Sequence, residues 1–450
     1  MIQRELDQLI ENHYKQSKSA LLLTGARQVG KTIAIRKYAQ KAGLELVEIN
    51  FYDDLEACNI FIGAQNEREV LLRLSAHTRQ SLQPEKTLIF FDEVQKYPDV
   101  ITWVKFLVDE GSYRYALSGS LLGVQLKDIR SVPVGSMAVK EVYPLTLEEF
   151  ACAIGVSDVV LQSIHTAWEE RKPVDPVVHK SMMKMMNLYL LVGGMPAVVQ
   201  TYIDTNDMQA VRAKQEEILT LYRWDIAQYD PENKLYIDEI FDLIPSELNA
   251  KNKRFVLKNL NEHSKFSRHE NGFIWLRDAG VALPTYNVSE PVAPLRLSES
   301  RSLFKLFQND VGLLAAQYAD GIAMKLLTGE VNINYGAIYE NAVAQELRAH
   351  DWKLYYYNSK KYGEVDFLLE NGSEVIPLEV KSGKDYDRHR ALNNIFDVKD
   401  FDIKQAVVLC NDNLQVKGQI TYAPIYMLMF IRRTTNAEPM IYKPDISAIQ

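Results

Sequence analysis

Apolar runs alternate with amphipathic stretches along the first third of the chain. Five of these runs, "ALLLTG", "LELVEINF", "TLIFFDE", "YRYALSGS" and "MAVKEVYPL", have the length and composition of strands. The stretches between the runs carry apolar residues at helical spacing. This alternation predicts an α/β layer fold with a parallel sheet, which we assign to residues 1–155.

The pattern becomes helical over residues 156–236, as in "MQAVRAKQEEILTLYRWDIAQY". Residues 237–330 combine short helical stretches with an extended, proline-containing stretch, "YNVSEPVAPLRLSES". Here "LFKLFQNDVGLLAAQ" predicts a buried helix and a linker, in which Asp310 and Gly312 cap and turn the chain. Residues 331–450 predict the order helix, strand, strand, strand, helix, strand, which makes a second α/β unit.

A glycine-rich segment, "LLLTGARQVGKTIAIRKYA", follows the first apolar run and fits the pattern GxxxxGK[ST]. Glycines in such a loop let backbone N–H groups wrap phosphate oxygens, and the following helix adds its positive N-terminus. Lys31 would reach the β- and γ-phosphates of ATP, and Thr32 would bind Mg²⁺. The residues expected to contact the nucleotide are Gly25, Ala26, Arg27, Gln28, Val29, Gly30, Lys31, Thr32 and Ile33.

Two acidic residues end the apolar run "TLIFFDE". Asp92 would hold Mg²⁺ and Glu93 would act as the general base for the attacking water. Taken alone, the pair could equally cap a following helix, but the phosphate-binding pattern favours the catalytic interpretation. The next run ends in "LSGSLLG", where Ser118 and Ser120 are candidates to sense the γ-phosphate, although a serine there is often a turn residue.

Charged residues also interrupt two apolar runs near the end of the chain, in "GEVDFLLENGSEVIPLEVKSGK". Strand side chains alternate faces, so Glu364 and Asp366 share one face, and Glu379 and Lys381 share one face of the next strand. Two or three converging carboxylates would repel one another unless a cation such as Mg²⁺ lies between them. The alternative is an edge strand on which Lys381 pairs with Asp366 or Glu379.

Composition limits the further possibilities. Of 450 residues, 47% are apolar and 24% charged, and the formal net charge is -8, which disfavours a protein that coats nucleic acid wholesale. No apolar stretch is long enough to span a membrane, and the separated cysteines suit a reducing cytoplasm. A local excess of +4, seven cations minus three anions, comes from Lys251, Lys253, Arg254, Lys258, Lys265, Arg268 and Arg277 against Glu262, Glu270 and Asp278.

The order of "GARQVGKT", "FFDEVQKYPD", "LSGSLLG" and "VYPLTLEEF" resembles a bacterial and archaeal AAA+ ATPase family with a C-terminal domain of unknown function. The basic region with its extended stretch resembles a winged helix, which would contact DNA or another protein. AAA+ relatives often place an arginine before the "PL" strand; here Arg130 lies a few residues upstream. This departure leaves the arginine finger, and with it ring-type hydrolysis, open.

The set Asp366, Glu379 and Lys381 is similar to the PD-(D/E)xK nuclease core, and Glu340 matches an acidic residue that many of its members carry. The resemblance implies that Asp366 and Glu379 bind a metal ion, with Lys381 and Glu340 beside them in catalysis. We therefore expect a cytoplasmic ATPase, as a monomer or homo-oligomer, whose nucleotide state gates DNA binding or cleavage. The alternative is a nucleotide-switched regulatory protein with an inactive nuclease-type scaffold.

Overall fold

A computed structural model of the chain describes residues 2–120, 135–229, 234–250, 253–255, 266–318, 336–433 and 444. The first sheet contains five strands: Ala20–Thr24 (β1), Glu45–Asn50 (β2), Thr87–Asp92 (β3), Arg114–Gly119 (β4) and Met137–Glu141 (β5). Their order is β2-β3-β4-β1-β5, and every neighbouring pair is parallel. The predicted α/β fold with a parallel sheet is therefore confirmed.

Helices cover this sheet, which explains why its three central strands β1, β3 and β4 are buried along nearly their whole length, whereas the edge strands β2 and β5 are less buried. They are Glu5–Gln16 (α1), Lys31–Ala42 (α2), Glu67–Thr78 (α3), Val100–Glu110 (α4) and Leu147–Ala153 (α5). All six residues of β3 are buried, including Asp92 at its carboxyl end. Because β3, β4 and β1 run parallel, their carboxyl ends lie at the same edge of the sheet. The predicted acidic pair at the end of β3 therefore lies near the glycine-rich loop that follows β1.

The middle of the chain is helical, as predicted. Its helices are Asp158–Glu170 (α6), Pro176–Val192 (α7), Pro196–Thr205 (α8), Met208–Tyr229 (α9), Lys234–Asn249 (α10) and Phe266–Asp278 (α11). In the described part of the chain, no single helix has the length and apolar character needed to cross a membrane. The consecutive helices α7 and α8 reach that length only together, and the chain bends by 120° between them.

A second sheet contains eight strands in the order β12-β13-β11-β10-β9-β8-β6-β7. The strands are Ala282–Val288 (β6), Glu299–Gln308 (β7), Tyr355–Ser359 (β8), Gly363–Asn371 (β9), Glu374–Val380 (β10), Ala406–Cys410 (β11), Gln415–Lys417 (β12) and Ile420–Pro424 (β13). The accompanying helices are Val311–Ala316 (α12), Gly336–Ala349 (α13) and Arg390–Phe396 (α14). From α13 to β11, the predicted order of helices and strands is confirmed.

Short 3₁₀ helices complete the described structure at Leu55–Ile60, Val94–Lys96, Leu295–Ser298, Lys399–Phe401 and Ile425–Phe430. The predicted residues Arg130, Lys251, Lys258, Glu262 and Lys265 lie outside the described residues, as do the side chains of Arg268 and Glu270.

Strands β6 and β7 belong to the second sheet, because β6 pairs with β8 as well as with β7. The sheet therefore extends across residue 330, where we placed a domain boundary. The extended stretch that we assigned to a winged helix is part of this pairing, which does not support a separate winged-helix domain.

The buried helix and linker predicted over "LFKLFQNDVGLLAAQ" are found only in part, because β7 continues through Gln308 and the buried helix is limited to α12, Val311–Ala316. Pairing with β6 overrides the helix that the apolar residues suggested. The predicted cap is confirmed: the Asp310 carboxylate accepts a hydrogen bond of 3.0 Å from the N–H of Leu313 at the start of α12. Gly312 lies inside α12 rather than in a turn.

The two halves of the molecule meet at this cap. The second carboxylate oxygen of Asp310 accepts a hydrogen bond of 2.6 Å from the N–H of Gly194, in the turn between α7 and α8. A Cβ atom on Gly193 would collide with the same carboxylate, and one on Gly312 would collide with the carbonyl of Val192. Both glycines are therefore required by a close approach of two backbones.

Candidate functional site

The glycine-rich loop lies between β1 and α2, as the pattern predicted. Gly25 has a φ of 123°, and a Cβ atom there would collide with the carbonyl oxygen of Val142. Gly30 has a φ of 95° and stands directly before the first residue of α2. Only glycine adopts these conformations at little cost, so both positions shape a loop whose N–H groups can face an anion.

Lys31 is the first residue of α2 and has only 6% of its surface exposed. Its ammonium group donates hydrogen bonds of 2.8 and 2.7 Å to the carbonyl oxygens of Gly25 and Ala26. Burial lowers the pKa of Lys31 to about 8, and the nearby carboxylates of Glu93 and Asp92 offset this only in part. The lysine is thus held by neutral dipoles, and a phosphate would supply the counter-charge that it lacks.

Thr32 and Asp92 come together across the carboxyl end of the sheet. The Thr32 hydroxyl donates a hydrogen bond of 3.0 Å to one carboxylate oxygen of Asp92, and the Ser118 hydroxyl donates to the other. Burial raises the pKa of Asp92, although the hydrogen bond from Ser118 opposes the shift. Ser118 therefore orients Asp92, and its contact with a γ-phosphate stays a prediction.

Glu93 follows Asp92 with a φ of 55° and faces the loop. Its side chain makes no capping bond to the following 3₁₀ helix, so the alternative in which it serves as a helix cap is not supported. Instead the Gln95 amide donates to the Glu93 carboxylate and, at 3.0 Å, to the hydroxyl of Ser120. Ser120 thus reaches the predicted general base through Gln95.

A pocket of about 440 Å³ opens in front of the loop. Its size lies within the range of roughly 300–1,000 Å³ that is typical of ligand sites. The predicted residues that line it are Arg27, Gln28, Gly30, Lys31, Thr32, Ile33 and Glu93. Gly25, Ala26 and Val29 stand behind it in the loop; Ala26 and Val29 are buried. Ile2, Pro196 and Ala197 supply an apolar wall that our sequence analysis did not predict.

The nucleotide site has the donors that Mg²⁺ prefers. Thr32 lines the pocket, and its hydroxyl is hydrogen-bonded to the carboxylate of Asp92 behind it. Mg²⁺ is bound by one or two protein oxygen groups of this kind together with phosphate oxygens. Only 2% of the Asp92 surface is exposed, so a cation would relieve the cost of its buried charge. The predicted roles of these two residues as Mg²⁺ ligands therefore fit the arrangement.

Arg4 is hydrogen-bonded to the glycine-rich loop, and no local pattern in the sequence predicted this contact. Its guanidinium donates hydrogen bonds of 2.6 Å to the carbonyl of Val29 and of 2.8 Å to the carbonyl of Tyr143, and it pairs with Glu149 at 3.3 Å. The planar fork of arginine suits such a junction between three segments. The loop is thus anchored to α1 and α5.

Helix α9 contacts the loop through two residues that our sequence analysis missed. Asp225 forms an ion pair of 3.1 Å with Arg27, and burial raises the pKa of Asp225 to about 6 although Arg27 opposes the shift. The hydroxyl of Tyr222 donates to the carbonyl of Arg27 at 3.3 Å and accepts from the amide of Asn309 at 3.1 Å. A hydrogen-bonded chain therefore links the loop to the end of β7.

Gly280 makes a second link between the loop and the C-terminal half. A Cβ atom on this residue would lie 2.9 Å from the backbone nitrogen of Ala26, and its φ of 72° also favours glycine. The turn between α11 and β6 thus packs directly against the loop.

The charged residues of the C-terminal sheet form a buried group around Lys305, which we call the lysine–carboxylate cluster. Lys305, on β7, has no exposed surface. Its ammonium nitrogen lies 2.8 Å from Glu364, 3.5 Å from Glu340 and 3.9 Å from Asp366. The other members are Lys253, which pairs with Glu340, and Lys381, which pairs with Glu379 at 3.0 Å. The structure thus brings the predicted residues together, but around a lysine that we did not predict.

The charges within this cluster balance one another. Burial disfavours the charge of Lys305, but Glu340, Glu364 and Asp366 together raise its pKa above the ordinary value. Burial alone would raise the pKa of Asp366, yet Lys305, Lys253 and Lys381 lower it. Burial and the charge of Asp366 raise the pKa of Glu379 and, in the same way, that of Glu340. Lys253, Lys305 and Lys381 thus offset part of the cost of burying the carboxyl groups of this cluster.

This arrangement does not fit the metal ion that the sequence predicted between Asp366 and Glu379. The ammonium group of Lys305 takes the position of counter-charge to the converging carboxylates, and Asp366 is also bound by the N–H of Val380 at 2.9 Å. Within the described parts of the chain, no three His, Cys, Asp or Glu side chains are arranged to hold a metal ion. The pairing of Lys381 with Glu379 is part of the alternative that we left open, but β10 pairs with both β9 and β11 and is therefore not the edge strand which that alternative assumed.

Comparison with protein families divides the chain into three matched regions. Residues 17–151 match a family model described as an AAA domain. Residues 183–323 and 335–428 match two further models, described as domains of unknown function DUF8612 and DUF4143. The first region, with the site described above, is therefore an AAA-type ATPase domain.

Three solved structures show distant similarity to the chain. A Walker-type ATPase of Pyrococcus abyssi is 13% identical, with 70% of this chain and 96% of that chain covered at a TM-score of 0.41. PCH-2 of C. elegans is 14% identical, covering 50% and 60% at 0.24. A STAND-class signal transduction ATPase with a tetratricopeptide repeat sensor, from Pyrococcus horikoshii, is 12% identical, covering 77% and 48% at 0.26. No curated protein matches the chain.

Proposed function

We propose that the chain is an Mg²⁺-dependent ATP hydrolase whose nucleotide state is transmitted to its C-terminal half. The observation that carries the proposal is the position of Lys31, Thr32 and Glu93 around a pocket of about 440 Å³, with Asp92 hydrogen-bonded to Thr32 at the same edge of the parallel sheet. These groups provide a cation for phosphate, two oxygen ligands for Mg²⁺ and a base for water.

In this proposal the loop from Gly25 to Thr32 wraps the phosphates of ATP. The Lys31 ammonium turns from the carbonyls of Gly25 and Ala26 to the β- and γ-phosphates, which restores a full counter-charge. Thr32 and Asp92 would hold Mg²⁺, which would neutralise the negative charge on the phosphate oxygens of ATP. Glu93 orients the attacking water and accepts its proton, while Gln95 holds the Glu93 carboxylate in place.

Transmission of the nucleotide state follows from the contacts of the loop. Rearrangement of the loop around ATP would alter the ion pair of Arg27 with Asp225 and the hydrogen bond from Tyr222, both on α9. Tyr222 is bonded in turn to Asn309, at the end of β7 in the C-terminal sheet. Binding energy at the loop can therefore bias the position of this sheet.

For the C-terminal half we propose a switched binding scaffold rather than a metal-dependent nuclease. The specific observation is Lys305, whose ammonium group neutralises the carboxylates of Glu340, Glu364 and Asp366. Nucleic acid, the partner that the sequence suggested, remains our proposed ligand for this half. Cleavage of DNA gated by ATP is the rival proposal, carried by the convergence of Asp366, Glu379 and Lys381.

One experiment tests both proposals. Purified protein is incubated with linear, supercoiled or single-stranded DNA and with Mg²⁺ or Mn²⁺, with and without ATP, and ATP turnover is measured in the same reactions. We expect turnover without cleavage, and a loss of roughly 10²–10⁴-fold in turnover for Glu93→Gln. Unchanged turnover in Glu93→Gln would contradict the role of the base.

Cutting that requires ATP and is absent from Asp366→Asn would overturn the scaffold proposal and establish the gated nuclease. Asparagine matches aspartate in shape, so this variant is less disruptive than alanine at a buried position. Thermal unfolding of both variants confirms that any loss of activity does not come from misfolding.

A further inference from the structure

A groove of about 550 Å³ lies on the C-terminal sheet, beside α11. Its floor contains Tyr355, Tyr286 and Phe304, which stand in register on the adjacent strands β8, β6 and β7. The neighbouring residues Thr285 and Lys305 point to the opposite face, because side chains alternate along a strand. The groove and the lysine–carboxylate cluster thus occupy opposite faces of the same sheet.

Four cationic side chains from separate segments line this groove: Arg277, Arg296, Arg301 and Lys353. Glu299 is the acidic residue among its described lining residues. Arg277 pairs with Asp278 at 2.7 Å, and Arg301 lies 3.8 Å from Glu299. Across the described residues, Arg296 and Lys353 have no ion-pair partner, and both side chains are exposed. The groove is therefore positive on a protein whose formal net charge is -8.

We propose that this groove binds single-stranded nucleic acid. Phosphates would lie against Arg296, Lys353 and Arg301, and a base would lie against the half-buried ring of Tyr286. A cationic rim over an aromatic floor is the combination that single strands require, because phosphates release counterions to cations while bases stack on rings. The volume admits a splayed strand rather than an intact duplex, whose bases are already stacked on one another.

Arg277 lies beside Tyr286 in the groove, where its charge opposes the rise that burial causes in the pKa of the Tyr286 hydroxyl. Arg277 also forms an ion pair with Asp278, so it is held in place before any ligand arrives. Arg296 and Lys353 are exposed, and their charges are available to bind phosphates. The inference rests on the proposed function in one respect, namely that nucleic acid is the ligand of the C-terminal half.

The test is fluorescence anisotropy with a labelled single-stranded oligothymidylate of about 16 nucleotides, compared with RNA and duplex DNA of the same length. The double variant Arg296→Glu/Lys353→Glu is compared with Arg388→Glu/Lys404→Glu, which makes the same change in charge on exposed residues of the same half outside the groove. We expect at least a tenfold loss of affinity in the groove variant, and a salt dependence that is shallower by about two phosphate contacts. The control should stay within about twofold of the unaltered protein.

Equal affinity of the two variants would overturn the groove as the site. Absence of binding to any single strand, or preference for the duplex or for anionic lipid vesicles, would overturn the ligand class. ATP turnover is measured on the same preparations. Lost turnover with retained oligonucleotide binding would contradict the proposed ATPase alone, and retained turnover without oligonucleotide binding would contradict this inference alone.

Discussion

Lys31 and Lys305 are both almost completely buried, with 6% and 0% of their surfaces exposed, yet their surroundings differ in kind. Lys31 is held by the carbonyl oxygens of its own loop, and burial lowers its pKa to about 8. Lys305 is surrounded by Glu340, Glu364 and Asp366, which raise its pKa despite burial.

The comparison shows that burial of a lysine does not by itself mark a functional site. Carbonyl dipoles stabilise the charge of Lys31 incompletely, so an arriving phosphate gains a strong interaction. Carboxylates neutralise Lys305 fully, so a further anion would be repelled and a cation would have to displace the ammonium group. We therefore expect substitution of Lys305 to affect folding, and substitution of Lys31 to affect ligand binding.

The largest effect should come from Lys305→Met. Removing one partner of a buried ion pair leaves uncompensated charges and costs about 3–5 kcal/mol, so the free energy of unfolding in urea should fall by that amount. The exposed Lys404→Met, with 62% side-chain exposure, should change it by less than about 0.5 kcal/mol.

The pH dependence of the free energy of unfolding of Lys305→Met tests whether uncompensated carboxylates cause the loss of stability. Without the ammonium group, which lowers the pKa values of Asp366 and Glu340, burial should raise these two values in the folded state above their unfolded values. Their contribution to stability is then present at low pH and lost as the pH rises through the folded pKa, so the variant should regain stability in acid. If Lys305→Met is as stable as the unaltered protein at neutral pH, the proposal that Lys305 serves folding, in contrast to Lys31, is contradicted.

Next in size, Lys31→Ala should weaken ATP binding by at least about 100-fold, which corresponds to roughly 2.7 kcal/mol. The reason is the loss of the cation that would face the β- and γ-phosphates. Lys41→Ala, on the exposed face of the same helix with 68% side-chain exposure, serves as the matched control in titration calorimetry. Tight binding retained in Lys31→Ala would contradict the assignment of the nucleotide site.

A smaller effect should follow from pH. The pKa of Lys31 in the empty site is about 8, so its charged fraction falls about tenfold between about pH 7 and pH 9. Binding of ATP requires the charged form, and the affinity should therefore fall by the same factor as the pH rises. Lys31→Arg, which does not titrate in this range, should give a flat profile at whatever affinity it retains; a parallel decline would assign the dependence to another group.

The smallest effect should come from Tyr222→Phe, which removes the hydroxyl between the carbonyl of Arg27 and the amide of Asn309. Loss of one such hydrogen bond costs about 1 kcal/mol, so the affinity for ATP should fall about fivefold. Tyr113→Phe, far from the loop, is the control. If the affinity is unchanged while the protein is less stable, Tyr222 serves packing and not transmission.

The sequence was sufficient for the nucleotide site because its signal is local. Glycine spacing, a strand before the loop and a helix after it specify Gly25 to Thr32, and the run that ends in Asp92 supplies the acidic partner. Arg4, Tyr222 and Gly280 lie far from the loop in sequence and reach it only in the folded chain. No periodicity or motif reports such contacts.

For the lysine–carboxylate cluster, the sequence predicted the carboxylates that come together but not the lysine between them. Alternation along two strands placed Asp366 and Glu379 together, since they continue the pairing that joins Phe367 to Leu378. Lys305 was missed because its stretch was interpreted as a buried helix, although a charge inside an apolar run was the same signal. Lys305 lies on β7, which β8 and β6 separate from β9 in the sheet. Sequence spacing does not report such a contact.

The contact between Gly193 and Asp310 has a consequence for how relatives of this chain can exchange parts. The Asp310 carboxylate fits only against a residue without a side chain at position 193. In the same way, the backbone of Val192 fits only against a residue without a side chain at position 312. A chimera that joins the first half of one relative to the second half of another must inherit matching residues on both sides. The halves should therefore co-evolve as one heritable unit, in which crossover points near this turn are tolerated poorly.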